Sequence, residues 1–352
     1  MKTMAIYNKL GALLTVMSLL VACSADDPAP TTGKATPIRF TASVADATEG
    51  TTRAYADAYN ASFPTGTDID VFLYSNNGTT SSDLSTEQFG GASRKWIYTT
   101  TGAVDVASGR SLLSQKHPTA AEVSKVDPDD ALPQFPANVG ENGWVDVFAA
   151  FFPEGCNVSP TYSEIVPGTS SFTFDVQTDQ TTQTSIVASD FLANDVTATF
   201  RTGSSAINLE MKHRMAKVLV EFNATEDLTS DNMPNATYSV LGVKPQLTVA
   251  PGTGEISTTG SATTVTAKVG EPFFLPPQEI TTDTPFLQFN LRNVGGTDTG
   301  IQNVTYKPSQ ALTLNAGVFY ILTVNVGVRY ITLTTTIRDW TGEAMTFDKI
   351  IL

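Results

Sequence analysis

The sequence predicts an all-β chain built as two antiparallel β-sandwich domains in tandem. Three observations predict it. Apolar and polar residues alternate with a period of two along most of the chain after position 37, the spacing that lays one face of a strand on a core. Clusters of Gly, Asn, Pro and Thr break these runs at 75–82, 251–254 and 295–300, as expected for many short strands joined by turns rather than for βαβ units. Residues 38–352 also suffice for two elaborated sandwiches, each of which takes ~100 residues and about seven strands. Composition agrees: of 352 residues, 41% are hydrophobic and 16% charged, too apolar for a disordered chain.

The first element is an address. Lys2 and Lys9 precede an uncharged, mostly apolar run over 10–22 that ends in Leu20, Val21, Ala22 and Cys23. A basic start, a short apolar stretch and a small residue read as a secretory signal over 1–22. The run is shorter than the ~20 residues a helix needs to cross a bilayer. A Cys directly after the small residue looks like a bacterial lipobox. Cys23 would then carry diacylglycerol on sulfur and an acyl chain on its new amine, and several acyl chains give stable membrane anchoring. Residues 23–36, with Asp26, Asp27 and a Pro/Thr/Gly-rich stretch, have too little apolar surface to fold and serve as a tether.

The first sandwich is assigned to 37–205. Its first strand, 37–45, places Ile38, Phe40, Ala42 and Val44 on one face, and a small, polar loop covers 46–54. Ile69, Val71 and Leu73 repeat the alternation, as do Val145, Val147, Ala149 and Phe151. Residues 108–140, rich in Pro, Ser, Asp and Ala, read as a long insertion, and 188–194 as a helical turn or two. The polar break at 201–205 sets the boundary. The second sandwich, 206–352, opens on Ile207, Leu209 and Met211, continues with Ala216, Val218, Val220 and Phe222, and shows its clearest alternation at Tyr320, Leu322, Val324, Val326 and Val328.

Several chemistries are disfavoured. The net charge of −14 argues against nucleic acid, whose phosphates require clustered Lys and Arg. With only two Cys and two His, a dedicated Cys/His metal site is nearly excluded, since tetrahedral zinc takes three or four such ligands, and with Cys23 acylated, Cys156 has no intramolecular partner. His117 sits before Pro118 in the insertion, and His213 lies between two strand-like runs, where a structural role is favoured over a catalytic triad. Asp129 and Asp130 read as a solvated loop pair. No P-loop, dinucleotide fingerprint or nucleophile elbow occurs. Trp96, Trp144 and Trp340 could line a glycan site but serve more often as core or edge anchors. Neither an enzyme nor a cofactor is expected.

These features together resemble the fimbrillin family, the type V pilins of Bacteroidetes. The resemblance rests on the lipobox ending at Cys23, the first strand over 38–44, and Thr51, Thr52, Arg53 and Ala54 after it. It continues through the strand at 68–72, the segments 189–193 and 213–218, and the C-terminal runs 320–326 and 331–340, the last closing on Asp339 and Trp340. The small and acidic residues after Cys23 likewise resemble the surface-export signal of Bacteroidetes lipoproteins. The resemblance implies two transthyretin-like sandwiches and an outer-membrane lipoprotein precursor. It further implies cleavage by an Arg-specific protease after the first strand, and polymerisation with other pilin subunits into a fimbria that supports adhesion to a host or bacterial surface ligand. Here that cut falls between Arg53 and Ala54. Arg39, the competing target, lies inside the alternating strand. Removal of the first strand would bare a groove that another subunit's strand fills by β-augmentation.

The C-terminal segment 344–352 matches the removable strand 37–45 in length. Met345, Phe347, Ile350 and Leu352 supply its apolar anchors, with a phase shift between 347 and 350 that implies a bulge. The alternatives are that 344–352 is this subunit's own edge strand, or that 330–337 donates. For the chain as a whole, the alternative is a monomeric, surface-exposed lipoprotein that binds a glycan.

Overall fold

The structure is a computed structural model that describes residues 40–44, 63–76, 81–83, 96–105, 110–117, 144–165, 170–195, 199–201, 206–226, 228–294, 300–328, 330–339 and 344–345. The chain is all-β. The first strands are β1 (Phe40–Val44), β2 (Asp68–Asn76), β3 (Ser81–Asp83), β4 (Trp96–Val104), β5 (Ser111–His117) and β6 (Trp144–Phe151). Next come β7 (Asn157–Ser159), β8 (Phe172–Asp175), β9 (Asp179–Gln180), the short helix α1 (Gln183–Val187), β10 (Leu192–Ala193), β11 (Thr199–Arg201) and β12 (Ile207–His213). The C-terminal half supplies β13 (Ala216–Ala224), β14 (Thr237–Val243), β15 (Gln246–Ala250), β16 (Glu255–Thr259), β17 (Thr263–Lys268), β18 (Phe273–Leu275) and β19 (Gln278–Ile280). It ends with β20 (Leu287–Leu291), β21 (Ile301–Tyr306), β22 (Leu312–Leu314), β23 (Val318–Val326), β24 (Ile331–Asp339) and β25 (Ala344–Met345).

The N-terminal strands form one sheet ordered β11-β6-β10-β12-β1-β5-β4-β2-β3, and a further pairing of β2 with β6 closes it into a ring. Closure removes sheet edges that would otherwise template pairing with other chains. The inside is filled from alternate positions: Phe40, Ala42 and Val44 meet Ile69, Val71, Leu73, Val147, Ala149, Leu209 and Met211. The predicted faces of β2, β6 and β12 are therefore the faces found. Alternation did not reveal that β2 and β6 are buried on both sides. Their opposite residues, Phe72, Tyr74, Phe148 and Ala150, belong to the larger core that runs through the C-terminal half. Strands on either side of position 205 also share sheets, with β8 pairing β15 and β9 pairing β17.

That larger core lies mainly between the sheets β18-β13-β23-β24-β25 and β21-β20-β14-β17-β9. Val218, Val220, Tyr320, Leu322, Val324 and Val326 all face it. Val328 is 56% exposed because β23 ends at Val326. The expected turn at 251–254 joins β15 to β16, with Gly254 at φ 69° donating its N–H to Ala250 O at 2.7 Å. That left-handed conformation favours glycine.

Three sequence expectations are corrected. The proposed insertion 108–140 contains β5, a ring strand whose Leu112 and Lys116 point to solvent, so its apolar alternation is weak. The helical turn falls at Gln183–Val187, capped by Thr182 accepting from the Ser185 N–H, while part of 188–194 forms β10. The pairing is not wholly antiparallel: β1 with β12, β13 with β23 and β9 with β17 run parallel. The side-chain period is the same in either direction, so sequence alternation cannot tell them apart.

Candidate functional site

The candidate site is the slot that β1 occupies. β1 pairs in parallel with β12 over its whole length, Phe40↔Ile207 to Val44↔Met211, and antiparallel with β5 only at Thr41↔Leu112 and Ala42↔Ser111. Its inward residues are well covered: Phe40 is 5%, Ala42 0% and Val44 5% exposed. The Phe40 ring meets the edge of Tyr98 at a centroid distance of 5.0 Å and an interplanar angle of 71°, a favourable aromatic geometry. On the other face, Asn208 Nδ2 donates to Ser43 Oγ at 3.1 Å, and Thr41 Oγ1 donates to Asn208 Oδ1 at 3.4 Å. Taking β1 away would bare the β12 edge over 207–211 and open a cavity where three side chains now sit.

The chain next enters the described residues at Phe63, which is 5% exposed and packs on Phe151 at 5.8 Å between ring centroids. Beyond it a cleft of about 570 Å³ is lined by Asp68, Asp70, Glu154, Cys156 and Tyr162 among others. Tyr162 Oη donates to Asp70 Oδ1 at 2.8 Å, and Lys116 pairs with Asp68. Burial, then the neighbouring Asp70 charge, raise the Tyr162 hydroxyl far above its ordinary value. Burial likewise pushes the Cys156 thiol up to about 11, with a smaller upward contribution from Asp70. Such a thiol is inert. Among the described residues no group of three or more His, Cys, Asp or Glu could hold a metal ion.

Most predicted site residues lie outside the described residues: Cys23, Arg53, Ala54, Phe347, Ile350 and Leu352, with Arg39, Asp129, Asp130 and Trp340. Met345 is placed as a backbone position opposite Ile337 of β24. Trp96 is 0% exposed, so this candidate for a glycan platform is a core residue of the ring. His117 ends β5 rather than sitting in a loop. His213 ends β12, buried, with Nδ1 2.8 Å from Asp190 Oδ1, and ties the 189–191 segment to the ring. Two polar residues that no sequence motif marks hold strands together. Asn194 accepts from Ala149 N–H at 2.8 Å and donates to Val147 O at 3.0 Å, and Gln180 makes both bonds of a backbone pair with Phe274, each at 2.9 Å. Asn194 stands out only as a polar residue after Phe191, Leu192 and Ala193, and Gln180, set among Thr, Asp and Gln, carries no local signal.

The profile of a family described as fimbrillin-like matches residues 148–340, more than half of the chain. This chain is a member of the fimbrillin-like family. No curated protein matches its sequence. Solved structures match the fimbrillin-like chain over most of its length. A candidate cell adhesion protein of Bacteroides ovatus shares 18% identity at a TM-score of 0.54, covering 87% of this chain and 98% of its own. One of Bacteroides uniformis shares 17% identity at a TM-score of 0.52, covering 89% and 100%. At these identities the likeness concerns the fold.

Proposed function

We propose that this fimbrillin-like chain is a non-enzymatic structural subunit of a cell-surface pilus, exported to the outer membrane as a precursor lipidated at Cys23 and matured by cleavage between Arg53 and Ala54. One observation carries the reading: β1 lies within a closed ring, held in parallel along one side, with three apolar side chains in the interior. Arg53 lies between Val44, where β1 ends, and Phe63, where the ring's chain is anchored again. Cutting there would separate β1 from the rest of the ring while leaving Phe63 attached. The vacated slot suits an extended strand with apolar side chains at alternate positions, supplied by the 344–352 segment of another subunit through Met345, Phe347, Ile350 and Leu352. In this reading the two tandem units, proposed as 37–205 and 206–352, exchange strands across their boundary, since β12 completes the N-terminal ring and β8 and β9 pair with C-terminal strands, and the subunit occupies the stalk or a position near the tip.

N-terminal sequencing of the surface protein tests this. The expected mature form starts at Ala54 in wild-type cells, and Arg53→Gln is expected to leave a precursor starting at acylated Cys23 that does not polymerise. If all surface protein in wild-type cells starts at Cys23, the reading is wrong.

A further inference from the structure

The cleft beside Tyr162 lies at the end of the ring where β2 begins and β6 ends, and Phe40, Ala42 and Val44 of β1 do not line it. It sits between three turns: residues 64–67 before β2, residues 152–156 after β6, and the short helical turn Tyr162–Glu164. Each turn is closed by its own backbone hydrogen bond. Thr67 N–H donates to Pro64 O at 3.2 Å, Cys156 N–H to Pro153 O at 3.1 Å and Glu164 N–H to Thr161 O at 2.7 Å. The walls are thus set before a ligand arrives, which lowers the ordering cost of binding. The volume of about 570 Å³ falls within the ~300–1,000 Å³ usual for ligand sites.

The lining divides by chemistry. Pro64, Phe152 and Pro153 give it an apolar wall, and Asp68, Asp70 and Glu154 give it carboxylates. Among the described residues no Lys or Arg lines it; Lys116, outside the lining, pairs with Asp68. Asp70 is 1% exposed, and a charge held that deep is weakly screened. Its field is felt across the cleft, where, next to burial, it raises both the Tyr162 hydroxyl and the Cys156 thiol. Tyr162 is 39% exposed yet fixed on two sides. Its hydroxyl donates to Asp70 Oδ1 at 2.8 Å, and its ring meets that of Phe152 at 5.3 Å and 66°. An exposed ring pinned to a buried carboxylate makes a preset aromatic panel beside a negative cavity. The acids are too dispersed for a metal ion, since among the described residues no three such groups come together to hold one. An organic cation suits them better. A guanidinium offers five donors in one plane, stacks on aromatic rings and trails an apolar stem. Its charge matches the carboxylates, its plane Tyr162 and its stem the apolar wall. A lysine ammonium lacks the plane.

We propose that this cleft is a socket for an exposed arginine side chain of a partner protein. The guanidinium stacks on Tyr162 and faces Asp68 and Glu154, while the stem runs along Phe152 and the two prolines. Asp70 acts at one remove, by fixing Tyr162 and adding its charge. The socket depends neither on cleavage at Arg53 nor on exchange of β1. It gives the subunit a contact with basic protein surfaces that strand exchange does not supply.

Titrating the full-length, uncleaved protein with a blocked Gly-Arg-Gly peptide, and with the same peptide carrying citrulline for arginine, tests the proposal. The arginine peptide is expected to bind at one site. Citrulline keeps the shape but not the charge, and its peptide should bind about tenfold to a hundredfold more weakly, the range for a charge-assisted hydrogen bond. Added salt should weaken only the arginine peptide. Glu154 is exposed, so Glu154→Gln should fold normally and bind about twofold to fivefold more weakly. Tyr162→Ala, checked for folding by circular dichroism, should lose about twofold to thirtyfold with the stacking surface. Glu279→Gln, on β19 and outside the lining, should bind like the wild type. Equal binding of the two peptides, displacement of the arginine peptide by neutral galactose, or no saturable binding at millimolar peptide overturns the proposal. Full affinity in both Glu154→Gln and Tyr162→Ala overturns it as well.

Discussion

Replacing Phe40 by Ala tests whether β1 is an integral wall of the ring. Phe40 is 5% exposed, its ring packs edge-on against Tyr98 at 5.0 Å, and its neighbours on the same face, Ala42 and Val44, leave little slack. Truncating a buried Phe to Ala in a closed ring should cost about 3–5 kcal/mol, from lost transfer energy and the cavity left behind. At roughly 2–4 °C per kcal/mol for a protein of this class, the melting midpoint of the uncleaved chain should fall by roughly 6–20 °C. Val104, 55% exposed on β4, provides a control, since Val104→Ala should cost no more than about 0.5 kcal/mol. The same perturbation has a second readout. After an Arg-specific cut at 53, β1 would be held by noncovalent contacts alone, and 3–5 kcal/mol corresponds to roughly a hundredfold to a few thousandfold weaker retention. Circular dichroism melts on the intact chain, and size-exclusion of the nicked chain with mass detection of the released peptide, measure the two quantities. If Phe40→Ala melts with the wild type and releases β1 no faster, β1 is not a wall of the ring, and the argument that its removal opens a groove collapses.

Two further outcomes follow from buried polar groups. Gln180→Leu roughly keeps the volume but leaves the buried Phe274 N–H and C=O without the amide that bonds them; chemical denaturation should show a loss of about 2–6 kcal/mol, at ~1–3 kcal/mol for each orphaned group. Cys156 should react with iodoacetamide at pH 8 roughly a hundredfold more slowly in the native chain than in denaturant, because its thiol titrates near 11 instead of the ordinary 9. The sign follows: a thiol raised on folding contributes stability that is full below pH 9 and is lost as pH rises through about 11. Equal alkylation rates in the two states would show that the thiol is not buried in this way.

What could be read from sequence followed the range of each interaction. Alternation is local, so the inward faces of β2, β6, β12, β13 and β23 could be assigned without knowing any partner, and the turn at 251–254 announced itself through Pro251 and Gly254. Within the expected first strand, 37–45, β1 keeps the expected face, Phe40, Ala42 and Val44. The expected cleavage and donor positions rest on a resemblance in the order of short segments. Partner choice is different, because it depends on residues far apart in the chain. Only the fold pairs β1 with β12 in parallel, closes β2 onto β6, and makes Phe72 and Phe148 part of a second core. β5 hid inside an apparent insertion because its two apolar residues are adjacent and face opposite ways, Leu113 onto the ring core and Leu112 to solvent. Gln180 and Asn194 looked like ordinary polar positions until distant backbone groups were set against them. By itself, then, the sequence determined the class of fold and the face of each strong strand, since a period of two needs only neighbours along the chain. The tertiary structure decided the ring and the parallel seating of β1, because each is set by which strand lies alongside, a choice made by packing over the whole chain.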